Sequence, residues 1–519
     1  MRIDRPILSG LLVMAGAVAP RPAAAQHENE VALASPRGAG DCAPEDVPEP
    51  PRLPAFRGAT LVMAPHTYTV GGTRYTTNVY NGNFLGPTLF MQPGQRVVLG
   101  VVNAMRETSS QPAAMTAWTN LHYHGLVVTP SPDSGDNVTH VHVDRDAPRR
   151  PFHFPVPEYH TTGMFWYHPH PHGISTSQVA GGLSGALLVG SILEYFPEYQ
   201  GVSQRVLLIR DMSFRLGQGA PPVVLNVNGS TCARLPVAPG ERQLWHIGNF
   251  GANTFVNLKL AGMQWTLLAM DGNPLPDTAL VDSLYIPPGS RAEVIVTGPP
   301  RGTRVRLYAA PFEPRPNNPE VTLGYLVGEG VARPPRLLRE VAGVDASVID
   351  TLRFLRSARN VGKQTFTFDF VGNDAGINGV VYKPTDLPVA IPWRQVQEWT
   401  LINTTTALHT FHIHQTDFTI LSVNGEPMDE RLLRDNIPLG VHRVRASTEP
   451  GDTTTRLVGD TVVVRFTFEP IAAGPFVFHC HVLMHEDEGM MHNVCVYDPE
   501  DPEGVNKCNR MFSEGGGHH

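Results

Sequence analysis

A chain of 519 residues is longer than one hydrophobic core usually organises and long enough for three domains of about 150 residues. Its 41% hydrophobic and 17% charged residues suit a soluble globular protein, and 48 prolines and 49 glycines favour short strands and turns over long helices. A formal net charge of -8 with no basic cluster argues against nucleic acid and anionic membrane surfaces as partners.

At the N-terminus, Arg2 and Arg5 precede an apolar run from Ile7 to Ala19, and Ala23, Ala24 and Ala25 offer small residues for cleavage. Residues 1–25 therefore read as a secretory signal peptide, and the mature protein is expected to be secreted or periplasmic. The apolar run is too short to span a bilayer. Of five cysteines, Cys42, Cys232, Cys495 and Cys508 can pair, with the connectivity open, while Cys480 sits between two histidines and is set aside for metal.

Further along, three segments share one layout: an Asn-Gly turn followed by a strand that ends in Asn. The turns are Asn81-Gly82, Asn228-Gly229 and Asn378-Gly379, spaced 147 and 150 residues apart. The strands are Arg96–Asn103, Arg242–Asn249 and Gln395–Asn403. A repeat of domain length indicates a triplicated domain, because solenoid repeats are far shorter. Period-2 alternation in these strands predicts an all-β chain of β-sandwich units. The expected divisions are domain 1 over 50–192, domain 2 over 203–332 and domain 3 over 350–498, with a mobile tail over 499–519. Linkers are expected near Ile192–Gln204 and Arg333–Asp350, the second with a short helix.

Chemistry is carried by histidines. With 22 of them, chance supplies about one His-x-His pair. Four such pairs fall in matched places. Gly163–His170 (GMFWYHPH) and Gly474–His481 (GPFVFHCH) share a pattern at an offset of 311, and Thr119–His124 matches His409–His414 at an offset of 290. Domains 1 and 3 thus each supply two pairs, His122/His124 with His168/His170 and His412/His414 with His479/His481. Domain 2 supplies none. On a strand, alternate residues share a face, so each pair aims two imidazoles one way. Eight imidazoles facing one another suit a cluster of copper ions with positions left open for oxygen.

The same alternation turns Cys480 away from its flanking histidines. On that side it needs a copper of its own, and His409, His485 and Met490 complete a thiolate, two imidazoles and a weak axial thioether. In domain 1 the matching positions are Thr119, Pro169, Ile174 and Val179. All four donors are absent there together, so one such site per chain is expected.

The strings His122–Gly125 (HYHG), Trp166–His170 (WYHPH), His409–His414 (HTFHIH) and His479–Met490 (HCHVLMHEDEGM) resemble the four copper motifs of the multicopper oxidases. The likeness covers nearly the whole mature chain. It implies three cupredoxin-like Greek-key domains and four copper ions: one type 1, one type 2 and a type 3 pair. By that resemblance His122 and His412 hold the type 2 ion. His124, His168 and His481 hold one type 3 ion, and His170, His414 and His479 the other. Glu486 and Asp133 match acidic positions that the family uses near the cluster, with Asp136 a competitor to Asp133 in the same loop, and His485 is the solvent-facing entry for electrons.

Dioxygen is the expected oxidant. A laccase-like oxidation of phenols or aromatic amines is the leading reading, with a cuprous-ion metallo-oxidase as the alternative. A non-enzymatic copper-binding protein is the third reading, and loss of ligands, which would signal it, does not occur. Metallo-oxidases often carry a methionine-rich insert, whereas the 15 methionines here are scattered and none lies between Met270 and Met428. His140 and His142 have no counterpart in domain 3 and are expected to be a chance pair on an exposed strand, while His172 is expected to be structural or to support a ligand rather than bind metal itself. His518 and His519 belong to the tail.

Overall fold

The computed structural model describes residues 42–513, except 71–72, 109–110, 134, 213–223, 314–319, 334–345, 429–430 and 447–453. The signal peptide expected over residues 1–25, and His518 and His519, lie outside the described residues.

At each Asn-Gly turn both residues have positive φ: 51° and 67° at Asn81-Gly82, 48° and 83° at Asn228-Gly229, 53° and 71° at Asn378-Gly379. Hairpin turns of this hand need two left-handed residues, which Asn and Gly tolerate best. The Asn side chain then fastens the turn to a neighbouring strand. Asn81, Asn228 and Asn378 each accept through Oδ1 from a backbone N–H, of Val62, Leu208 and Thr367, at 2.7, 2.8 and 2.8 Å.

Those acceptances come from the strands Ala59–Val70, Ser203–Met212 and Gly362–Val371. Each runs parallel to the strand that ends in Asn, with Met63, Ile209 and Phe368 opposite Asn103, Asn249 and Asn403. The terminal Asn repeats one task. Its Oδ1 accepts from the N–H two residues on (Met105, Gly251, Thr405), while its Nδ2 donates to a distant carbonyl (Val143, Ile286, Leu439). Aspartate could not donate, so only an amide does both.

Around this frame each domain pairs two sheets: two four-stranded ones in domain 1, two six-stranded ones in domain 2, and a six- and a five-stranded one in domain 3. The architecture is predominantly β, consistent with cupredoxin-like Greek-key domains. Each domain has its own apolar core, and that of domain 3 packs Trp399 against Phe366, Phe466 and Phe478 with ring centres 4.7–5.1 Å apart. In the second linker a helix, Ala346–Ser357, wedges Leu352 and Leu355 between Leu244, Leu268 and Ile295 of domain 2 and Val396 and Leu433 of domain 3.

Two segments depart from expectation. Glu45–Asp46 precedes domain 1 but pairs in parallel with Ala233–Val237 of domain 2, beside a Cys42–Cys232 disulfide. The tail expected to be mobile after Asp498 forms a helix, Gly504–Ser513. Cys508 and Phe512 lie one turn apart on it and are buried, and Cys508 is bonded to Cys495. This buried stripe, the disulfide and a hydrogen bond from His140 Nε2 to Met511 O anchor the segment. Among the described residues no helix is long and apolar enough to cross a membrane.

Candidate metal centres

The sheets of domains 1 and 3 bring the four His-x-His pairs face to face. In domain 1, His122 and His168 exchange two backbone hydrogen bonds of 2.9 and 3.1 Å, and in domain 3, His412 and His479 stand opposite each other in register. His168, His170, His414 and His481 sit just beyond the ends of their strands rather than within them. Across the domain boundary His122 stacks on His414 (centroids 3.9 Å, 9° between planes) and His124 stacks on His412 (3.8 Å, 9°). The two domains thus meet with near two-fold symmetry.

All eight rings are buried. Burial holds each imidazole below its ordinary pKa, His168 at about 3 and His412 at about 4, so each is neutral with one lone pair to offer. In several rings the outer nitrogen is committed elsewhere. Nδ1 of His168 donates to Pro169 O at 2.9 Å, and Nδ1 of His412 to Asp435 O at 2.7 Å. Their Nε2 atoms, with that of His122 and both nitrogens of His481, find no protein partner. Elsewhere Nε2 of His170 and His479 approach to 3.0 Å, and those of His414 and His479 to 3.3 Å. Neutral nitrogens orphaned in a buried, all-imidazole space are what a copper cluster would satisfy.

On the far face of the Gly474–Cys480 strand lies the second group. Cys480 Sγ is 3.7 Å from Nδ1 of both His409 and His485, which are 3.2 Å from each other. His409 and Cys480 are fully buried and His485 is half-buried. Burial pushes the Cys480 thiol up to about 12, so a bound cation is needed to hold it as thiolate. Met490 lies in the same apolar group as Cys480 and accepts through its carbonyl from Cys480 N at 2.9 Å. Met491 packs elsewhere, with Val138, Tyr382 and Val477. In domain 1 the position of His409 is held by Thr119, whose hydroxyl donates to Gln178 Oε1 at 2.7 Å. Ordinary polar packing replaces a metal site there.

Carboxylates surround the imidazole cluster. Glu486 is fully buried, with Oε1 3.4 Å from His170 Nδ1 and Oε2 3.4 Å from His479 Nδ1, and it accepts from Ser175 Oγ at 2.9 Å. Burial, then the charge of Asp487, raises its pKa well above the usual carboxylate range. Asp133 does not belong to the site: it is exposed and offers its backbone to Ser131 and Arg150. Gly135, two residues on, is buried, and its N–H donates to Ser131 O at 2.8 Å. Asp136 follows it and is buried, 3.1 Å from His122 Nδ1. It accepts from Tyr123 N and Gln415 Nε2, each at 3.1 Å, and burial raises its pKa to about 7. Sequence reasoning missed Asp435, which has no motif. Its Oδ1 is 3.3 Å from His124 Nε2, and Arg291 of domain 2 grips its carboxylate with two donors at 2.9 and 2.6 Å.

Among the described residues, the other histidines singled out above stay outside both groups. His140 and His142 precede the strand Val143–Asp144 rather than lying on one: His140 Nε2 donates to Met511 O at 3.0 Å and its Nδ1 accepts from Thr139 Oγ1 at 2.7 Å, while His142 stacks on Trp118 at 4.1 Å, and His172 meets the edge of Tyr382 at 5.0 Å.

The chain is matched by three sequence profiles, each described as multicopper oxidase, over residues 62–192, 166–318 and 355–500. It is 26% identical over 440 residues to the multicopper oxidase mco of Staphylococcus haemolyticus, covering 80% of this chain and 83% of that one. It is 23% identical over 475 residues to a laccase of Bacillus subtilis, covering 81% and 90%. Among solved structures, a multicopper oxidase from Campylobacter jejuni, described as a metallo-oxidase, superposes with a TM-score of 0.67 at 22% identity, covering 90% of this chain and 98% of that one. With one mononuclear group and one imidazole cluster built for four copper ions, and with these matches along its length, the chain belongs to the multicopper oxidase family and is a copper-dependent oxidase that acts with dioxygen.

Proposed function

We propose that the reducing substrate is a phenol or an aromatic amine and that it delivers electrons at His485. The observation that carries this reading is an aromatic ring set against a half-buried imidazole. The Phe370 ring stands edge-on to His485 at 5.7 Å, and Val380, 55% exposed, lies on a hairpin that packs against the Leu483–Glu488 helix through Tyr382 N and Gly489 O, at 3.1 Å. An aromatic ring can stack there without leaving water entirely.

In this reading His409, Cys480 and His485, with the thioether of Met490, would hold the type 1 copper, and His122 and His412 would hold the type 2 copper. His124, His168 and His481 share one type 3 ion, and His170, His414 and His479 the other. Bound copper supplies one-electron redox chemistry and the open positions at which dioxygen is reduced. The chain's own part is a short covalent path from Cys480 through the backbone to His479 and His481, and carboxyl groups that carry protons. Glu486 serves the His170/His479 side and Asp136 the His122 side. Export through cleavage after Ala25 completes the proposal, and mass spectrometry of exported protein should find Gln26 at its N-terminus.

Oxidation of cuprous ion is the second reading. Glu488 is half-buried, and burial together with the charge of Asp374 raises its pKa to about 7. Glu488, three residues after His485, and Asp374 repel each other, and both would gain from a cation. Oxygen uptake measured side by side with a phenol, an aromatic amine and cuprous ion separates the readings. Phe370→Ser should lower turnover of the phenol and spare that of cuprous ion; the opposite pattern would favour the metal.

A further inference from the structure

Domain 2 contains none of the metal donors, yet it holds the short helix that carries His485 and Glu486. That helix, Leu483–Glu488, follows Val482, which offers no side-chain cap. Its opening N–H groups need acceptors, as at any helix start. Both come from domain 2. Leu483 N donates to Ala252 O at 3.0 Å, and Met484 N donates to Asn253 Oδ1 at 3.0 Å.

The loop presenting these acceptors is itself fixed. Asp211 is buried and accepts from the N–H groups of Ala252, Asn253 and Thr254 at 2.6, 2.8 and 2.8 Å. Gly251 permits that approach, because a Cβ there would lie 2.6 Å from Asp211 Oδ1. Ala252 also packs against Leu483, together with Val179 and Ala180 of domain 1. From the other side, Asp487 accepts from Ser175 N and Thr176 N of domain 1, each at 2.9 Å. The helix is therefore set from outside its own domain, and Asn253 is a side chain of domain 2 that bonds to it.

We propose that Asn253, held by Asp211, is a positioning residue through which the copper-free domain fixes His485 against Cys480 and so sets the geometry of the type 1 copper. This rests on the reading of His485 as a ligand of that ion. A weak cap suffices for such a role, because an imidazole displaced by a fraction of an ångström changes both copper affinity and potential while the fold survives.

The test uses full-length, copper-loaded protein with Asn253→Ala, Asn253→Asp and Asp211→Asn. Asn253→Ala should release the blue copper to a cuprous chelator roughly three- to tenfold faster, the scale of one lost cap. It should also alter the copper hyperfine coupling and reduction potential, with the cluster copper retained. Asn253→Asp keeps an acceptor and should restore the release rate and hyperfine coupling. Asp211→Asn keeps one acceptor oxygen and should move the same readouts less, which preserves the test if the alanine variant folds poorly. An Asn253→Ala protein with the wild-type spectrum, potential and release rate overturns the proposal, as does one that loses only thermal stability. Wild-type protein that binds four coppers and shows no blue band would instead overturn the ligand reading beneath it.

Discussion

Cys480 and its neighbours reduce the blue-copper reading to single substitutions. Cys480→Ser removes the only thiolate of the group and should abolish the blue charge-transfer band, leaving about three coppers on the imidazole cluster by metal analysis. Met490 shares its apolar surroundings with Cys480, whereas Met491 packs against Val138 and Val477. A thioether stabilises oxidised copper relative to no axial donor, and leucine replaces methionine at small packing cost. Met490→Leu should therefore raise the reduction potential and keep the blue colour, with Met491→Leu nearly silent; redox titration of the blue band in both variants decides it. Glu486 touches two cluster histidines and carries the proton that reduction of dioxygen consumes in the proposed reading. Glu486→Gln should slow re-oxidation of the reduced enzyme by about a hundredfold, the lower end of general-acid contributions. Reduction of the blue copper by substrate should stay near the wild-type rate, and rapid mixing resolves the two steps.

At the level of elements, the helix Gly504–Ser513 is the instructive case. Its buried face is small, with Cys508 and Phe512 meeting Cys495 and Tyr497. The Cys495–Cys508 bond closes a loop across a sequence separation of 13. Cross-linking a loop of this length stabilises by about 3 kcal/mol when loop-closure entropy dominates. Cys508→Ala should lower the midpoint of the first thermal transition and expose the segment after Tyr497 to limited proteolysis, while the copper spectra remain those of the wild type. The strand Gly474–Cys480 shows the opposite economy. One extended segment presents His479 to the cluster and Cys480 to the other metal, because consecutive side chains alternate across a sheet.

The whole molecule places acids where three domains meet. Asp271 and Asn273 of domain 2 and Asp417 of domain 3 flank the Arg291–Asp435 pair, beside a cavity of about 410 Å³ whose wall includes His160, Asn273 and Asp417. Burial, then the charge of Asp435, raises Asp417 to about 8, while the hydrogen bond from Asn273 and the charge of Arg291 pull it down. Because the folded pKa lies above the ordinary carboxylate value, the native state binds the extra proton. That stabilisation is complete below the ordinary value and is lost as pH rises through about 8. Below about pH 6.5 the buried imidazoles, protonated only in the unfolded chain, oppose this trend, so the metal-free protein should lose thermal stability as pH rises from about 6.5 to about 8. Asp417→Asn should flatten the loss without removing it, since Asp271, raised to about 7, titrates in the same range. Calorimetry of both proteins across pH provides the check.

Much of this protein was legible along the chain because its key devices are local. Asn-Gly turns, strands that end in Asn, and His-x-His pairs are each specified within a few residues, by the left-handed angles Asn and Gly accept and by the period of a strand. Repetition then marked three domains, and the absence of His409, Cys480, His485 and Met490 counterparts in domain 1 marked a single blue site. Tertiary structure decided whatever depends on which distant groups share a dry space. Asp136 rather than Asp133 meets His122, because Asp136 is buried beside it while Asp133 stays exposed. Asp435 reaches the cluster in the grip of an arginine 144 residues away, and Asn253 caps a helix 231 residues along the chain. Cys42 is tied to Cys232 across the whole of domain 1. Burial and long-range hydrogen bonding set these partnerships, and neither leaves a periodic trace in the order of residues.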